Sequence, residues 1–250
     1  MFRIIFAVGA LMSASILHAA LPDVQQINCP GTFSGHLQDV CTDGEFLYWA
    51  HTVAIVKSDL AGKQVARVEV PEHNAGIAVL DGLLYVAVCP LADLDHPKQD
   101  YPVQVWIYDA KTLALKEKKV LPQKDRAGSL AVTPNGFIVG CLRGKNLTKR
   151  QVRVHLYDRQ FKHIESRIIE CPRIINLGTE VIRYRDGHYW FAMYPDHVQE
   201  LDEHFNTIAS YKAQGQTGMI FDGQWYWYGV TWSKDGKHQS CIRRQAIPKK

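Results

Sequence analysis

Five times along the chain the same order of apolar and polar positions recurs. An apolar stretch runs into a tight glycine-containing turn, and an aromatic run then closes on a small residue. The copies span Leu37–Ala50, Gly76–Ala87, Gly128–Gly140, Gly178–Ala192 and Gly218–Gly229. Their turn glycines are Gly44, Gly82, Gly136, Gly187 and Gly223. Each copy predicts a two-stranded hairpin, because apolar runs bounded by turn residues read as buried strands. A second phrase follows each of the first four copies: an apolar strand ending in Asp, a short turn and another strand. It occupies Ala54–Val70, Val103–Leu121, Val152–Ile169 and His197–Ala213. The repeating unit is therefore four strands. The last unit is one strand short, with Gly218–Phe221, Trp225–Trp232 and Ser240–Ile247 alone. Val24–Ile27, near the start of the chain, is expected to supply its missing strand.

Self-similarity at a period of roughly 40–50 residues marks small sheets that bury their faces against one another. On these repeats the chain resembles the β-propeller superfamily: all-β, with antiparallel four-stranded blades. Counting turns predicts five blades, and a degenerate blade hidden in an insert would make six. Pairing the two chain ends in one blade closes the ring and removes an open sheet edge. Cys29 and Cys241 then fall in neighbouring strands, where a disulfide would lock the closure. The six cysteines (Cys29, Cys41, Cys89, Cys141, Cys171 and Cys241) contain no CxxC pair. They read either as disulfides or as buried thiols.

The first residues fit neither phrase. Arg3, the apolar run Ile4–Leu17 and the small residues Ala19–Ala20 read as a secretory signal peptide over 1–20, leaving 21–250 as one propeller domain. The expected location is secreted or periplasmic, with no membrane partner after cleavage. The net charge of +4 is spread along the chain. Its densest basic stretch, Arg143–Arg153, reads as a solvated loop. Nucleic-acid binding is not expected. A monomer without a cofactor is expected.

What the resemblance implies about faces selects the candidate site. In a propeller the hairpins between first and second strands share one face, and the loops entering the first strands share the other. The long connections Cys89–Pro102 and Leu142–Arg150 leave second strands on that other face, and long loops on a rigid scaffold carry function. The candidate ligand-binding residues there are His36, His51, His73, Asn74, Arg126, Asn176, Tyr194, Gln216 and Trp232. They are expected to form a polar funnel with aromatic walls. Trp232, ending its strand on this face with Tyr194 and His51 at comparable ends, would stack on a sugar ring. The eleven histidines include no HxH or HxxxH pair, so no metal is expected. Asp93, Asp95 and His96 lie together in the long loop without the ligand order of a calcium site.

Two acidic residues stand in predicted first strands, where acids are poor strand formers: Asp39 in the first repeat and Glu180 in the fourth. Two carboxylates facing one cleft can hydrolyse a glycoside. Asp39 with Asp43-Gly44 and Tyr48, and Glu180 with the run through Trp190, resemble the base and acid strands of five-bladed arabinanase and β-xylosidase glycosidases. That resemblance implies Asp39 as base and Glu180 as acid. The chain departs from the family at Val40, at Val181-Ile182 and at Ser129. The phrase Ile55–Lys63 resembles the outer hairpin of glutamine cyclotransferase-type propellers. The resulting expectation is an exported propeller that binds a carbohydrate or similar polar small ligand. The alternatives are glycoside hydrolysis by Asp39 and Glu180, or a protein-interaction scaffold using the long loops.

Overall fold

The computed structural model describes residues 21–89, 102–142, 146–215 and 217–247. The expected signal segment, the Asp93/Asp95/His96 group and Gln216 lie outside the described residues. Among the described residues, twenty strands form five antiparallel four-stranded sheets arranged as a five-bladed propeller. Blade 1 contains β2 (Leu37–Thr42), β3 (Phe46–His51), β4 (Ala54–Asp59) and β5 (Gln64–Glu69). Blade 2 contains β6 (His73–Leu80), β7 (Leu83–Cys89), β8 (Gln104–Asp109) and β9 (Leu115–Val120). Blade 3 contains β10 (Ala127–Thr133), β11 (Gly136–Cys141), β12 (Gln151–Tyr157) and β13 (His163–Glu170). Blade 4 contains β14 (Thr179–Arg185), β15 (His188–Met193), β16 (His197–Leu201) and β17 (Thr207–Lys212). Blade 5 contains β18 (Met219–Asp222), β19 (Trp225–Lys234) and β20 (Lys237–Ala246), with β1 (Gln26–Asn28) as its outer strand.

The N-terminal strand closes the ring as its sequence position predicts, with Ile27 opposite Ile242. The expected lock is absent. Asn28, not Cys29, stands opposite Cys241, and all six cysteines are buried thiols outside any disulfide.

The hydrophobic pattern translates directly into layers. The inner strands are buried on both faces, while β5, β9 and β13 are mostly exposed. Five apolar clusters fill the five blade-to-blade interfaces. One joins Trp49 and Val56 of blade 1 to Trp227 and Ile242 of blade 5; another joins Tyr85 and Val105 of blade 2 to Phe137 and Tyr157 of blade 3.

The turns follow from the residues that occupy them. Asp81-Gly82, Asp186-Gly187 and Asp235-Gly236 have positive φ at both positions, which right-twisted strands require of a two-residue hairpin. In the outer hairpins of blades 1 to 4, Asp59, Asp109, Asp158 and Asp202 each accept two backbone N–H bonds from the turn through Oδ1. The strand-ending Asp of the second phrase is therefore a turn-forming residue.

Four of the five inner strands carry an irregularity near their start. Extra residues are inserted at Gln38, at Ala75-Gly76, at Gly128 and at Glu180. Inner strands crowd one another here. A Cβ on Gly76 would stand 2.2 Å from the Leu130 nitrogen, and one on Gly128 would stand 2.4 Å from the Thr179 carbonyl oxygen. Gln38 and Glu180 are the two insertions that carry long polar side chains.

Candidate functional site

The irregular starts of the inner strands and the connections between second and third strands share one face. On the blade 1 and blade 2 side of that face, Gln38 gathers a polar cluster. Its carboxamide nitrogen lies 2.9 Å from His36 Nε2 and 3.3 Å from His73 Nε2, and donates to Thr52 Oγ1 at 3.3 Å. Thr52 in turn donates to the His36 carbonyl. The hairpin of β19 and β20 stands beside the cluster, with the His238 ring 6.2 Å from that of His36. This hairpin is held by the segment before β2, where Phe33 and His238 exchange backbone hydrogen bonds.

Burial disfavours the charged forms of His36 and His73. Burial, followed by the charges of His36 and Arg126, pushes His73 down to about 4. Burial and then His238 lower His36. Imidazoles whose charged forms are disfavoured, with a carboxamide, offer both donors and acceptors, the set that suits a hydroxyl-rich ligand.

The other expected residues divide. The charge of Arg126 acts on His73. Tyr194 is half-buried beside Glu180, and burial, then the Glu180 carboxylate, raises its phenol. Trp232 is among the exposed large side chains, as expected, but it lies within β19 rather than at its end. Its indole donates to Gln239 Oε1 at 3.0 Å. Asn176 is exposed and lines a separate cleft of about 190 Å³ with Leu147, Lys149, Gln151 and Ile175.

Two expected ligand residues prove to be interior. His51 is 0% exposed, stacked on Phe33 with ring centroids 3.5 Å apart and bonded through Nε2 to Ser240 Oγ. Burial first, and the Arg67 charge second, pushes it down to about 3. Asn74 is also 0% exposed, and its amide donates to the His51 and Ala54 carbonyls. It fastens blade 2 to blade 1.

The structure parts the two carboxylates. The insertions make Glu180 the counterpart of Gln38, whereas Asp39 occupies the position of Val181. A one-residue offset along a strand reverses the face a side chain takes. Asp39 is fully buried, accepts from the Val40 and Ile77 amides, and receives Arg183 Nη2 at 2.5 Å and Nη1 at 3.3 Å. Arg183 also donates to the Met219 and Val40 carbonyls. The network joins the inner strands of blades 1, 2, 4 and 5. Burial pushes the Asp39 carboxyl up, while Arg183 and the two amides pull it back. Such a carboxylate ties blades together and does not face a substrate. Glu180 and its counterpart Gln38 are equally buried, each 8% exposed.

Sequence reasoning missed Gln38, although it lies between two singled-out residues. A polar side chain next to an acid in an otherwise apolar strand was the available signal. It also missed Phe33 and Arg183, because their roles arise from contacts distant in sequence. A third grouping crosses blade 3: single donor atoms of Asp125, Cys141 and His155 all lie within 4.8 Å of one another. Its members are separated by 14 residues or more, so no local spacing announces it.

No protein-family model matches the chain, and no curated protein matches it. Solved structures do. The glutaminyl cyclase of Myxococcus xanthus superposes with a TM-score of 0.60 at 8% identity, covering 90% of this chain and 96% of its own. A protein of unknown function from Bacteroides caccae superposes with a TM-score of 0.53 at 10% identity, covering 81% of each chain. At these identities the likeness is one of fold.

Proposed function

We propose that this propeller binds a polar small ligand, with a carbohydrate as the first candidate, on the face that carries the irregular starts of its inner strands. One observation carries the reading: the convergence of His36, Gln38, Thr52 and His73 at the boundary of blades 1 and 2. Gln38 and His73 lie in β2 and β6, His36 directly precedes β2 and Thr52 directly follows β3, so these side chains are positioned before any ligand arrives, and pre-organised polar groups cost less to order on binding. Arg126 adds a cation at the rim, and exposed Trp232 on the neighbouring hairpin offers an aromatic surface for the apolar face of a sugar. If residues 1–20 direct export, the ligand is met outside the cytoplasm.

Binding without chemistry is preferred to glycoside hydrolysis because Asp39, the expected base, is engaged by Arg183 and by two backbone amides. The test is a panel of plant and algal oligosaccharides titrated calorimetrically, with new reducing ends assayed in parallel. The expected result is saturable binding to at least one member, weakened about tenfold or more in Gln38→Ala, with no reducing ends formed. Reducing ends that vanish in Glu180→Gln would replace binding with hydrolysis. Binding that is indifferent to Gln38→Ala, His73→Ala and Trp232→Ala would place the ligand elsewhere.

A further inference from the structure

We propose that blade 3 contains a binding site for a divalent transition-metal ion of zinc type, formed by the Asp125 carboxylate, the Cys141 thiolate and His155 Nε2. The three donor atoms lie within 4.8 Å of one another. Around a tetrahedral zinc ion, bonds of about 2.0–2.3 Å place ligand atoms roughly 3.5 Å apart. His155 Nε2 and Asp125 Oδ2, at 3.8 Å, are already near that separation. Sulfur, imidazole and carboxylate together suit a borderline-soft ion rather than calcium or magnesium.

The position of each donor follows from the strands. Asp125 stands two residues before β10, on the connection from blade 2. Cys141 ends β11, opposite Ala127. His155 in β12 pairs with Val139, two residues before Cys141, so both side chains take the same face of the sheet. This is the face packed against blade 2.

A second observation points to a ligand. His155 is 7% exposed, and its Nδ1 lies 2.7 Å from Ser166 Oγ on β13, directly across the strand pair. That contact leaves Nε2 directed at the cluster, where it is buried with no partner within hydrogen-bond distance, the Asp125 carboxylate oxygen standing 3.8 Å away. A buried ring nitrogen without a partner is costly. An imidazole oriented through its other nitrogen is the usual arrangement of a metal ligand. Ser166 is in turn 2.9 Å from His163 Nε2. Near the sulfur, Gln123 Nε2 lies 4.0 Å from Cys141 Sγ, while its Oε1 accepts from the Tyr157 hydroxyl.

Arg153 opposes the ion. Its Nη1 pairs with Asp125 Oδ2. The ion therefore competes for the carboxylate with a guanidinium whose side chain is 21% exposed and has a route to solvent. Binding releases the thiol proton of Cys141. Three protein donors leave one tetrahedral position for water or a ligand atom.

Cobalt(II) is the probe, because a cobalt–thiolate bond gives an intense near-ultraviolet charge-transfer band and tetrahedral cobalt gives strong visible bands. Titrating the purified full-length protein should produce both bands at one equivalent, with zinc reversing them. Cys141→Ser should abolish the charge-transfer band. Asp125→Asn and His155→Gln should weaken binding at least tenfold, and Ser166→Ala about 10–100-fold as a positioning residue. Arg153→Gln should tighten it, and Cys171→Ala should change nothing. Circular dichroism verifies that each variant is folded. If Cys141→Ser does not fold, the His155→Gln and Arg153→Gln pair decides. No charge-transfer band in the wild type overturns the site, as does a band that survives Cys141→Ser or is unaffected by both His155→Gln and Arg153→Gln.

Discussion

His51 and His73 show how burial sets the pH response of this fold. Both have values pushed below their ordinary 6.5, to about 3 and about 4. Above pH 6.5 they are neutral in folded and unfolded chains alike, and their contribution to stability is complete. As the pH falls below 6.5 the unfolded chain takes up protons that the folded chain refuses. Stability is lost through that window, down to the folded values. Each histidine contributes at most about 1.4 kcal/mol per pH unit there. Denaturant unfolding at pH 7.5, 5.5 and 4.5 should show falling stability. His51→Gln should start lower at pH 7.5, having lost the Phe33 stack, and fall less steeply. An unchanged slope would remove His51 from this role. His73 resists protonation down to about pH 4 by the same shift, so its own charge should not change ligand binding between pH 8 and 5, which a binding titration of His73→Gln against wild type across that range checks. Arg183 poses the other test at this scale. Arg183→Met strands a buried carboxylate and should cost about 3–5 kcal/mol in an unfolding titration. Adding Asp39→Asn should recover part of that loss, since the two residues share one network. Additive losses would contradict the pairing.

At the scale of elements, the outer hairpins show what the sequence pattern conveys and what it leaves out. The strand-ending Asp and the turn after it were legible, because an Asp accepting turn amides is a local device. The positive-φ residue of each turn was not. Gly62 serves blade 1, but Leu113, Phe161 and Phe205 stand at the corresponding place in blades 2 to 4 with φ of 59°, 63° and 66°. They accept that conformation because their side chains are anchored. Phe161 stacks on Phe137 at 4.3 Å, and Phe205 on Tyr189 at 4.4 Å. Phe161→Ala should cost about 3–5 kcal/mol, the range for a buried aromatic, in thermal or chemical unfolding. A loss below about 1 kcal/mol would show that the stack does not hold the turn. The inner-strand insertions were likewise invisible beforehand. They reassign Asp39 and Glu180 to different sheet faces, and a repeat aligned by its turn glycines cannot register an extra residue at the far end of the strand.

Across the whole molecule, five blades and closure by the N-terminal strand were legible because repetition and alternation are properties of sequence alone. The candidate site was legible only in part. His36, His73 and Arg126 were named for their place before first strands; the structure brings the first two to Gln38, and the Arg126 charge acts on His73. Asn74, named by the same rule, and His51, named for ending a second strand, are interior because the neighbouring blade and Phe33 cover them. Closure rests on β1 without a disulfide, through Ile27, the paired backbone and Arg243 Nε bonded to Gln26 Oε1. Deleting the chain through Asn28 should therefore lower the unfolding midpoint and promote aggregation through the bared edge of β20. A variant as stable and soluble as the intact chain would show that closure lies elsewhere.

The measurement closest to the proposed binding site uses Trp232 as its reporter. Tryptophan emission is followed while the oligosaccharide panel is titrated into wild type, Trp232→Phe and Gln38→Ala. A saturable change in wild type, lost in Trp232→Phe and shifted about tenfold or more to higher ligand concentration in Gln38→Ala, is the predicted result. A saturable change that persists at the same midpoint in both variants, or no change with any oligosaccharide, would contradict a polar ligand site on this face.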